Sequence, residues 1–423
     1  MLSSTQSFST SRTEIAGHAI SDIAERFGTP CYVYDWQSIE RRIADLQSFD
    51  AVRYAQKALS NIAILDRMRR RGVVVDAVSA GEIERALRAG FTPDSHPAGI
   101  VYTADVFDRE ALELVVKHNI PVNVGSPDMI DQLGEVAPGR NIALRINPGF
   151  GHGHSQKTNT GGPQSKHGIW HTAIDECLLR ADRHGLVVTG MHMHIGSGTD
   201  FEHLSQVCAA MEKACLEVGR TVKTISAGGG LPIPYKPEQS YLDLDQYFQL
   251  WQATRNRLQD KFGHAIELEI EPGRYLVAES GFLIAEIRAI KSMGENTFYL
   301  LDAGFNDLAR PILYGAYHPI SIAHRDGSTG QSERDVIIGG PLCESGDIFT
   351  QEEGGFVARR RLPTAKVGDL LILEVAGAYG YAMASNYNSK YRAPEILIEQ
   401  GQLKEIRRRE TAEDLLRQEV IPD

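Results

Sequence analysis

Lys57 lies where a short strand pattern gives way to an amphipathic helix pattern, within residues 52–65. A lysine at the end of a strand can point into a pocket, where the loss of solvation lowers the pKa of its amine. A neutral amine can attack a carbonyl carbon and form a Schiff base. Because a single lysine is more often an ordinary surface residue, this hypothesis depends on which residues surround Lys57 in the fold.

Other side chains suited to chemistry also follow predicted strands: Asp76, Arg145, Asn147, His194, residues 228–230 (Gly-Gly-Gly) and residues 271–274 (Glu-Pro-Gly-Arg). The carboxyl ends of the strands of a parallel barrel meet at one rim, where barrel enzymes carry their active sites. Each residue taken singly has a structural explanation, such as a buried histidine or an ion pair. Their joint placement at one rim predicts a site.

These residue types divide into roles that one cofactor would need. The glycine-rich stretches 196–198 and 228–230 predict backbone N–H groups that approach a phosphate closely. Arg274 offers a permanent bidentate charge to the same anion. Glu271 is the kind of group that keeps a pyridine nitrogen protonated. Together with a Schiff-base lysine, this set fits pyridoxal phosphate, an electron sink for an α-carbanion.

The elements that must position these residues alternate along the chain. Strand patterns occur at 52–56, 73–78, 100–103, 121–124, 142–147, 187–195, 222–227 and 266–271, and helix patterns include 80–89, 110–118, 173–184, 201–218 and 244–262. Eight alternations predict an α/β fold, a (β/α)8 TIM-type barrel over residues 28–285. A doubly wound open sheet is the alternative, although no GxGxxG turn follows an early strand.

A second, β-rich domain is predicted from residues 1–27 and 286–423. Its strand patterns are 282–291, 297–302, 335–339, 369–374 and 395–398, with a terminal helix at 412–419. Helix and strand patterns also precede the first of the eight alternations, at 18–27, 30–35 and 36–49.

Composition narrows the class of protein. The 423 residues carry 44 basic and 55 acidic side chains, a formal charge of −11, which argues against a generic nucleic-acid binder. Five scattered cysteines without CxxC spacing favour free thiols in a reducing compartment. With no secretory signal and no apolar stretch of membrane-spanning length, we expect a cytoplasmic protein without a membrane partner.

Longer motifs identify a family. The chain contains Tyr-Ala-Gln-Lys at 54–57, Asp-Ala-Val-Ser-Ala-Gly-Glu at 76–82, Arg-Ile-Asn-Pro at 145–148, a histidine- and glycine-rich loop at 151–162, Ser-Lys-His-Gly at 165–168, His-Met-His-Ile-Gly-Ser-Gly at 192–198, Gly-Pro-Leu-Cys-Glu-Ser at 340–345 and Gly-Ala-Tyr-Gly at 377–380. With the motifs at 228–230 and 271–274, the chain resembles the alanine-racemase-like (fold type III) pyridoxal-phosphate decarboxylases over nearly its whole length. It is most similar to the bacterial diaminopimelate decarboxylases. One departure is His167, where many relatives have phenylalanine.

The resemblance implies a role for each matching residue. Lys57 would form the internal aldimine and His194 would stack on the ring, and both are catalytic candidates together with Cys343, which matches a proposed proton donor. The implied cofactor-binding set is Lys57, Asp76, His194, Ser197, Gly229, Gly230, Glu271, Gly273, Arg274 and Tyr379. The implied substrate-binding set is Arg274, Arg310, Tyr314, Glu344 and Tyr379.

The resemblance also implies a reaction and an assembly. The reaction is decarboxylation of meso-2,6-diaminopimelate at its D-centre to L-lysine and CO₂, the last step of lysine biosynthesis. The assembly is a homodimer with composite sites, in which Cys343 and Glu344 reach the active site of the partner subunit.

Strand parity makes a further prediction. Alternate strand residues face the same way, so Arg53 would share a face with Lys57, and Glu269 with Glu271. Unpaired buried charges are costly, so we predict an ion pair or short network below the cofactor, with His192 as a further candidate member.

Two rival functions also fit part of the sequence. His152 with His154, or His192 with His194, could form half of a zinc site in a barrel hydrolase, although no matching His–Asp set follows at strand ends. A non-catalytic binding relative is the other rival, but it would need neither Lys57 nor Cys343.

Overall fold

The computed structural model describes residues 8–151, 160–194, 201–329 and 332–423. Its strands are β1 Glu14–Ile15, β2 His18–Ala19, β3 Cys31–Asp35, β4 Ala51–Ala55, β5 Val74–Ala77, β6 Ile100–Ala104, β7 Val122–Val124, β8 Asn141–Asn147, β9 Ile169–Trp170, β10 Val187–His192, β11 Thr224–Ser226, β12 Glu267–Ile270, β13 Gly281–Met293, β14 Asn296–Leu301, β15 Ile320–Ala323, β16 Glu333–Gly339, β17 Arg360–Pro363, β18 Leu370–Leu373, β19 Glu395–Glu399 and β20 Gln402–Arg407.

The helices are α1 Ile20–Phe27, α2 Trp36–Ala44, α3 Ile62–Arg70, α4 Ala80–Arg88, α5 Arg109–Lys117, α6 Pro127–Val136, α7 Ile174–Arg183, α8 Phe201–Val218, α9 Leu244–Phe262, α10 Arg274–Val277, α11 Arg310–Tyr314 and α12 Ala412–Leu416. Local chemistry defines where several of them start. Asn61, Ser79, Asp108 and Asp243 cap α3, α4, α5 and α9 by accepting hydrogen bonds from first-turn N–H groups.

The chain forms two compact units. The barrel unit comprises residues 42–232 and 241–276, and the sheet unit comprises residues up to Arg41, 233–240 and 277–423.

The barrel unit contains the predicted closed barrel. Its eight parallel strands run in the order β4, β5, β6, β7, β8, β10, β11, β12, and the pairing of β12 with β4 closes the ring. Strands that are covered on both faces must be apolar along most of their length, as in the fully buried β5, Val-Val-Asp-Ala. The polar residue in that strand, Asp76, is therefore an exception that calls for a functional reason.

Several strands end earlier than their patterns predict. β4 stops at Ala55, β10 at His192 and β12 at Ile270, so His194 and Glu271 lie just beyond the strands, as Lys57 was predicted to do. Strand alternation stops with the last ladder pair, Ala55 with Asp76, and residues 56–58 form a 3₁₀ turn. The prediction that Lys57 continues the parity of Arg53 is therefore wrong, because a 3₁₀ turn rotates side chains by a different angle.

The sheet unit is organised by its longest strand. β13 pairs with β3 at Gly281–Ile284, with β18 at Leu283–Glu286 and with β14 at Ile287–Met293. Its core includes Ile20, Ile23, Val33, Ile284, Leu370, Ile372 and Ile396, all fully buried. Strand β3 joins this sheet through β13 and β19. The sequence patterns did not reveal β15, β17 and β20, which are short or alternate weakly.

No helix in the described ranges is both long enough and apolar enough to cross a bilayer.

Candidate active site

Glu271 lies at the centre of a buried polar group in the barrel unit. Nε2 of His192 donates a 2.6 Å hydrogen bond to its Oε2, and the hydroxyl of Ser226 donates a 3.0 Å bond to its Oε1. The backbone N–H of Glu271 donates to the carbonyl of Gly228 at 2.7 Å. His192 and Ser226 are paired in register on β10 and β11, so the barrel ladder itself aligns the two donors with this carboxylate.

These contacts keep Glu271 ionised. Burial by itself would raise the pKa of the carboxyl, but the charge and hydrogen bond of His192 and the charge of Arg53 outweigh it, and the pKa is lowered to about 2. An ionised carboxylate inside the barrel is a strong acceptor for a cationic N–H. It could hold a protonated pyridine nitrogen.

Arg53 and Glu269 form the ion pair that parity predicted. Nε and Nη2 of Arg53 donate to the two carboxylate oxygens of Glu269 at 2.9 and 2.7 Å, and Nη1 donates to the carbonyl of Ala98 at 2.8 Å. Arg53 is 2 % and Glu269 is 8 % exposed. This bidentate geometry stabilises an ion pair in the low-dielectric interior of the barrel. The prediction is confirmed for the pair, while His192 bonds to Glu271 instead.

Lys57 is exposed, which differs from the expectation of an amine withdrawn from water. Its positive charge nevertheless acts to lower the pKa of two acidic neighbours in the barrel unit, Asp76 and Glu82. Burial raises the pKa of Asp76 well above its ordinary value, and the charge of Glu271 raises it further. Oδ1 of Asp76 is buried and has no hydrogen-bond partner among the described residues. The structure therefore brings Lys57, Asp76 and Glu271 into one electrostatic neighbourhood.

His194 is oriented by the glycine-rich loop. The N–H of Gly229 donates to its Nδ1 at 2.9 Å, so Nδ1 carries no proton. Burial lowers the pKa of His194 well below its ordinary value, and the charges of Arg145 and Lys57 act in the same direction. The imidazole is therefore neutral, which suits a ring that stacks on an aromatic cofactor.

Glycine is required in this loop for steric reasons. A Cβ on Gly229 would lie 2.3 Å from the carbonyl oxygen of Glu271 and 3.4 Å from Cε1 of His194. A Cβ on Gly228, whose φ is +63°, would lie 2.3 Å from the carbonyl oxygen of Met193. The loop therefore holds Glu271 and His194 by close backbone contact. The role of Gly229 visible here is to orient His194.

Asn147, one of the rim residues, has a structural role. Its side chain accepts from the N–H groups of Gly149 and Gly162 and donates to the carbonyls of Gly162 and His167. His167, the departure from the family pattern, has its Nδ1 2.5 Å from Oδ2 of Asp105. These contacts fasten both ends of the loop after β8.

Arg310, in the sheet unit, is 6 % exposed. Its Nη1 donates to Nε2 of His318 at 2.9 Å and to the hydroxyl oxygen of Tyr235 at 3.2 Å. Tyr314 ends the same short helix, α11, and is half-buried.

Cys343 and Glu344 are exposed in the sheet unit. The N–H of Cys343 donates to Oδ1 of Asn388 at 2.7 Å. The other four cysteines are buried, and burial raises the pKa of Cys177 and Cys215 to about 12. This confirms packing roles for Cys177, Cys208 and Cys215. Cys343 is the accessible thiol.

Tyr379 has a left-handed backbone with φ +57°. It follows Gly377, where a Cβ would lie 1.9 Å from the carbonyl oxygen of Val277. Residues in strained conformations are concentrated at functional sites, so this geometry agrees with a binding role for Tyr379.

The remaining predicted residues are placed as follows. Gly273 is buried, and Arg274 begins α10 and is half-buried. Ser197, His152 and His154 lie outside the described residues. Within the described ranges there is no group of three His, Cys, Asp or Glu side chains arranged to hold a metal ion.

Sequence reasoning missed Ser226 and the two residues that contact Arg310, His318 and Tyr235. Ser226 had a usable signal, because it ends the strand directly before the glycine run. The contact between Tyr235 and Arg310 had none, since the two residues lie 75 positions apart in sequence.

Comparison with known proteins identifies the family of this chain. The description "Pyridoxal-dependent decarboxylase, pyridoxal binding domain" matches residues 36–278. The chain is 54 % identical to diaminopimelate decarboxylase of Escherichia coli K12, over 97 % of this chain and 98 % of that protein. The chain belongs to the pyridoxal-dependent decarboxylases.

Further relatives agree over similar lengths. Diaminopimelate decarboxylase of Streptomyces coelicolor is 52 % identical, over 96 % of this chain and 92 % of that protein. A crystal structure of a diaminopimelate decarboxylase superposes with a TM-score of 0.92 at 54 % identity, covering 94 % of this chain and 95 % of the other. The Helicobacter pylori enzyme complexed with L-lysine has a TM-score of 0.83 at 30 % identity, covering 94 % and 98 %.

This decarboxylase uses pyridoxal phosphate, and the residues of the barrel unit fit that cofactor. An ionised Glu271 carboxylate suits a pyridinium nitrogen, a neutral His194 suits a ring face, and Lys57 is an amine beside buried acids. The glycine loop 228–230 adds close backbone contacts that a methyl group on Gly228 or Gly229 would disrupt.

Proposed function

We propose that this enzyme decarboxylates meso-2,6-diaminopimelate at its D-centre and releases L-lysine and CO₂, the last step of lysine biosynthesis. The observation that carries this proposal is 54 % identity with a curated diaminopimelate decarboxylase over 97 % of the chain. The ionised, buried Glu271 supports the same reaction class, since it suits a cofactor that must accept electrons from the substrate.

The cofactor-binding set is assigned as follows. Lys57 would hold the aldehyde carbon covalently, His194 would cover the ring, and Glu271 would bind the pyridine nitrogen. The phosphate would be held by Ser197, Gly230, Arg274 and Tyr379. Asp76, Gly229 and Gly273 complete the set, with Gly229 acting through His194. Bound there, pyridoxal phosphate supplies the sink for the electron pair that CO₂ leaves behind.

Side chains of the protein then hold charge in place and transfer protons. His192 and Ser226 hold the Glu271 carboxylate in place, so its charge is fixed before substrate arrives. The bond from Cα to the carboxylate carbon breaks and CO₂ departs. The thiol of Cys343 gives its proton to Cα, and the resulting thiolate regains a proton from water. Lys57 would be the amine that gives up the aldehyde carbon to the substrate amine and takes it back as the product amine leaves.

The distal end of the substrate is a zwitterionic amino acid, so its recognition needs a cation and an acceptor. We assign Arg310 and Glu344 to these two roles, with Arg274, Tyr314 and Tyr379 as further contacts. A buried arginine is suited to bidentate recognition of a carboxylate. We also propose a homodimer in which Cys343 and Glu344 serve the site of the partner subunit, which agrees with the exposure of both residues in the single chain.

The test uses the purified holoenzyme. We expect a visible absorption band that Lys57→Ala abolishes, and stoichiometric release of CO₂ and L-lysine from meso-diaminopimelate. Cys343→Ala should lower kcat by about 10²-fold or more, because the proton-transfer step loses its acid. A band without CO₂ would reject the substrate but keep the cofactor assignment, and unchanged turnover in Cys343→Ala would reject Cys343 as the acid.

A further inference from the structure

The guanidinium of Arg310 is held by two side chains within the sheet unit. Its Nη1 donates one hydrogen bond to Nε2 of His318 at 2.9 Å and another to the hydroxyl oxygen of Tyr235 at 3.2 Å. The guanidinium carbon also lies 5.0 Å from the centre of the Tyr235 ring. Tyr235 in turn meets His318 edge to face, at 5.7 Å between ring centres. Arg310, His318 and Tyr235, which lies 75 residues from Arg310 in sequence, therefore form one packed group.

Hydrogen-bond chemistry determines the proton positions on His318. Its Nδ1 lies 2.9 Å from the carbonyl oxygen of Glu374. Because a carbonyl can only accept, Nδ1 must carry the proton. Its Nε2 faces a guanidinium N–H, which can only donate, so Nε2 must offer its lone pair. His318 is therefore a neutral imidazole of one tautomer, with its acceptor aimed at Arg310.

Glu374, whose carbonyl accepts the hydrogen bond from His318, is itself held by several hydrogen bonds. Arg12 binds the Glu374 carboxylate in a bidentate pair at 2.8 and 3.0 Å, and the hydroxyl of Ser321 donates to the same carboxylate at 2.7 Å. The N–H of Glu374 donates to the carbonyl of Pro319 at 2.9 Å, beside His318. His318 is 2 %, Glu374 2 % and Ser321 0 % exposed. The carbonyl that sets the tautomer of His318 therefore cannot easily move.

We propose that His318, assisted by Tyr235, is a positioning residue that orients Arg310 for the carboxylate at the distal amino-acid end of the substrate. This inference rests on the proposed function, which assigns Arg310 to that carboxylate. Bidentate recognition needs a guanidinium plane of defined direction. The arginine side chain has several rotatable bonds, and fixing it before binding removes an entropic cost from the substrate complex. His318 thus sets how well the enzyme binds any ligand with a distal carboxylate.

The two nitrogens of His318 can be tested separately. Glutamine places Oε1 as many bonds from Cα as Nε2 of histidine, so His318→Gln keeps the acceptor for Arg310. Asparagine places Nδ2 as many bonds from Cα as Nδ1, so His318→Asn keeps only the donor to Glu374. We expect His318→Asn to raise KM for diaminopimelate about tenfold, with kcat within about twofold. His318→Gln should restore KM to within about threefold of wild type.

A double-mutant cycle shows whether His318 acts through Arg310. Arg310→Ala should raise KM strongly, and His318→Asn should then add nothing further. Tyr235→Phe removes only one acceptor and keeps the ring, so it should raise KM less than His318→Asn, and it remains informative if an asparagine at position 318 disturbs folding. His324→Asn is the matched control. His324 is a second buried histidine of the sheet unit, bonded to Asp369, and its replacement should leave KM unchanged.

Equilibrium binding of L-lysine gives an independent readout, because the product keeps the distal amino and carboxylate groups of the substrate. Calorimetry on the holoenzyme should show the same tenfold weakening in His318→Asn. If Arg310→Ala leaves KM and lysine affinity unchanged, the proposed role of Arg310 fails, and this inference fails with it. If Arg310→Ala weakens both but His318→Asn does not, or if the two effects add, the inference alone is overturned.

Discussion

His192 and Glu271 are joined by a 2.6 Å hydrogen bond between two side chains that are 1 % and 6 % exposed. The bond joins the last residue of β10 to the residue that follows β12. Burial alone would favour a protonated carboxyl. His192 and the charge of Arg53 together reverse that preference, so the charge of Glu271 is a property of the barrel and does not depend on Glu271 alone.

Removing this histidine tests the charge of Glu271. We expect His192→Leu to raise the pKa of Glu271, because burial is then opposed by fewer favourable contacts, and to weaken pyridoxal phosphate binding about tenfold or more. Titration of the apoenzyme with cofactor, followed by visible absorbance, measures the effect. Ser226→Ala removes a longer 3.0 Å bond to the same carboxylate and should weaken binding less. Equal cofactor affinity in His192→Leu and wild type would contradict the prediction.

The Arg53–Glu269 pair should behave as a buried ion pair in stability measurements. Arg53→Met leaves an uncompensated carboxylate inside the barrel, and we expect it to lower the free energy of unfolding by about 3–5 kcal/mol. The double variant Arg53→Met/Glu269→Leu removes both charges and should be destabilised less than either single variant. Urea denaturation of the wild type, Arg53→Met, Glu269→Leu and the double variant measures the four free energies of unfolding. A double variant that loses the sum of the single losses would show that the two charges do not depend on each other.

The buried carboxyl of Asp307 predicts a loss of stability as the pH rises from 3.8 to about 7. Burial raises the pKa of its carboxyl to about 7 against the backbone hydrogen bond from Gly304 and the charge of Lys390, both of which lower it. Its Oδ1 is buried without a hydrogen-bond partner among the described residues. A raised pKa means that its contribution to stability is complete below the ordinary aspartate value, 3.8, and is lost as the pH rises through 7.

Asp307→Asn should remove this pH dependence. Between pH 5 and pH 8, the wild-type free energy of unfolding should fall by about 3 kcal/mol more than that of the variant. Denaturation at the two pH values measures the difference. If the wild type and Asp307→Asn respond equally to pH, the carboxyl of Asp307 is ionised in the folded protein at both values.

The glycine loop should not tolerate a methyl group at position 229. In Gly229→Ala, the Cβ would meet the carbonyl of Glu271 at 2.3 Å, so the loop must move away and His194 loses its orienting bond. We expect cofactor affinity to fall about tenfold or more, measured by the same absorbance titration. Gly81→Ala is the control, because Gly81 lies in α4 with nothing within 4 Å of an added Cβ. It should keep cofactor affinity, and its stability should rise by up to about 1 kcal/mol.

Much of this arrangement was predictable because it depends on local patterns. Alternating strand and helix patterns are set by side-chain periodicity, and eight of them led to the closed barrel that the structure shows. The pairing of Arg53 with Glu269 followed from strand parity and from the cost of an unpaired buried charge. Lys57, Glu271 and the glycine run could be named because their motifs are contiguous.

Other features were decided only by tertiary structure. The ends of strands depend on where neighbouring strands stop, which is why β4 ends at Ala55 and a 3₁₀ turn carries Lys57. The ionisation of Glu271 depends on His192, 79 residues away, and the orientation of Arg310 depends on Tyr235, 75 residues away. The residue types of this chain thus determine which chemistry is available. Long-range packing determines which groups are charged and where they point, because burial and hydrogen-bond partners come from segments that meet only in the fold.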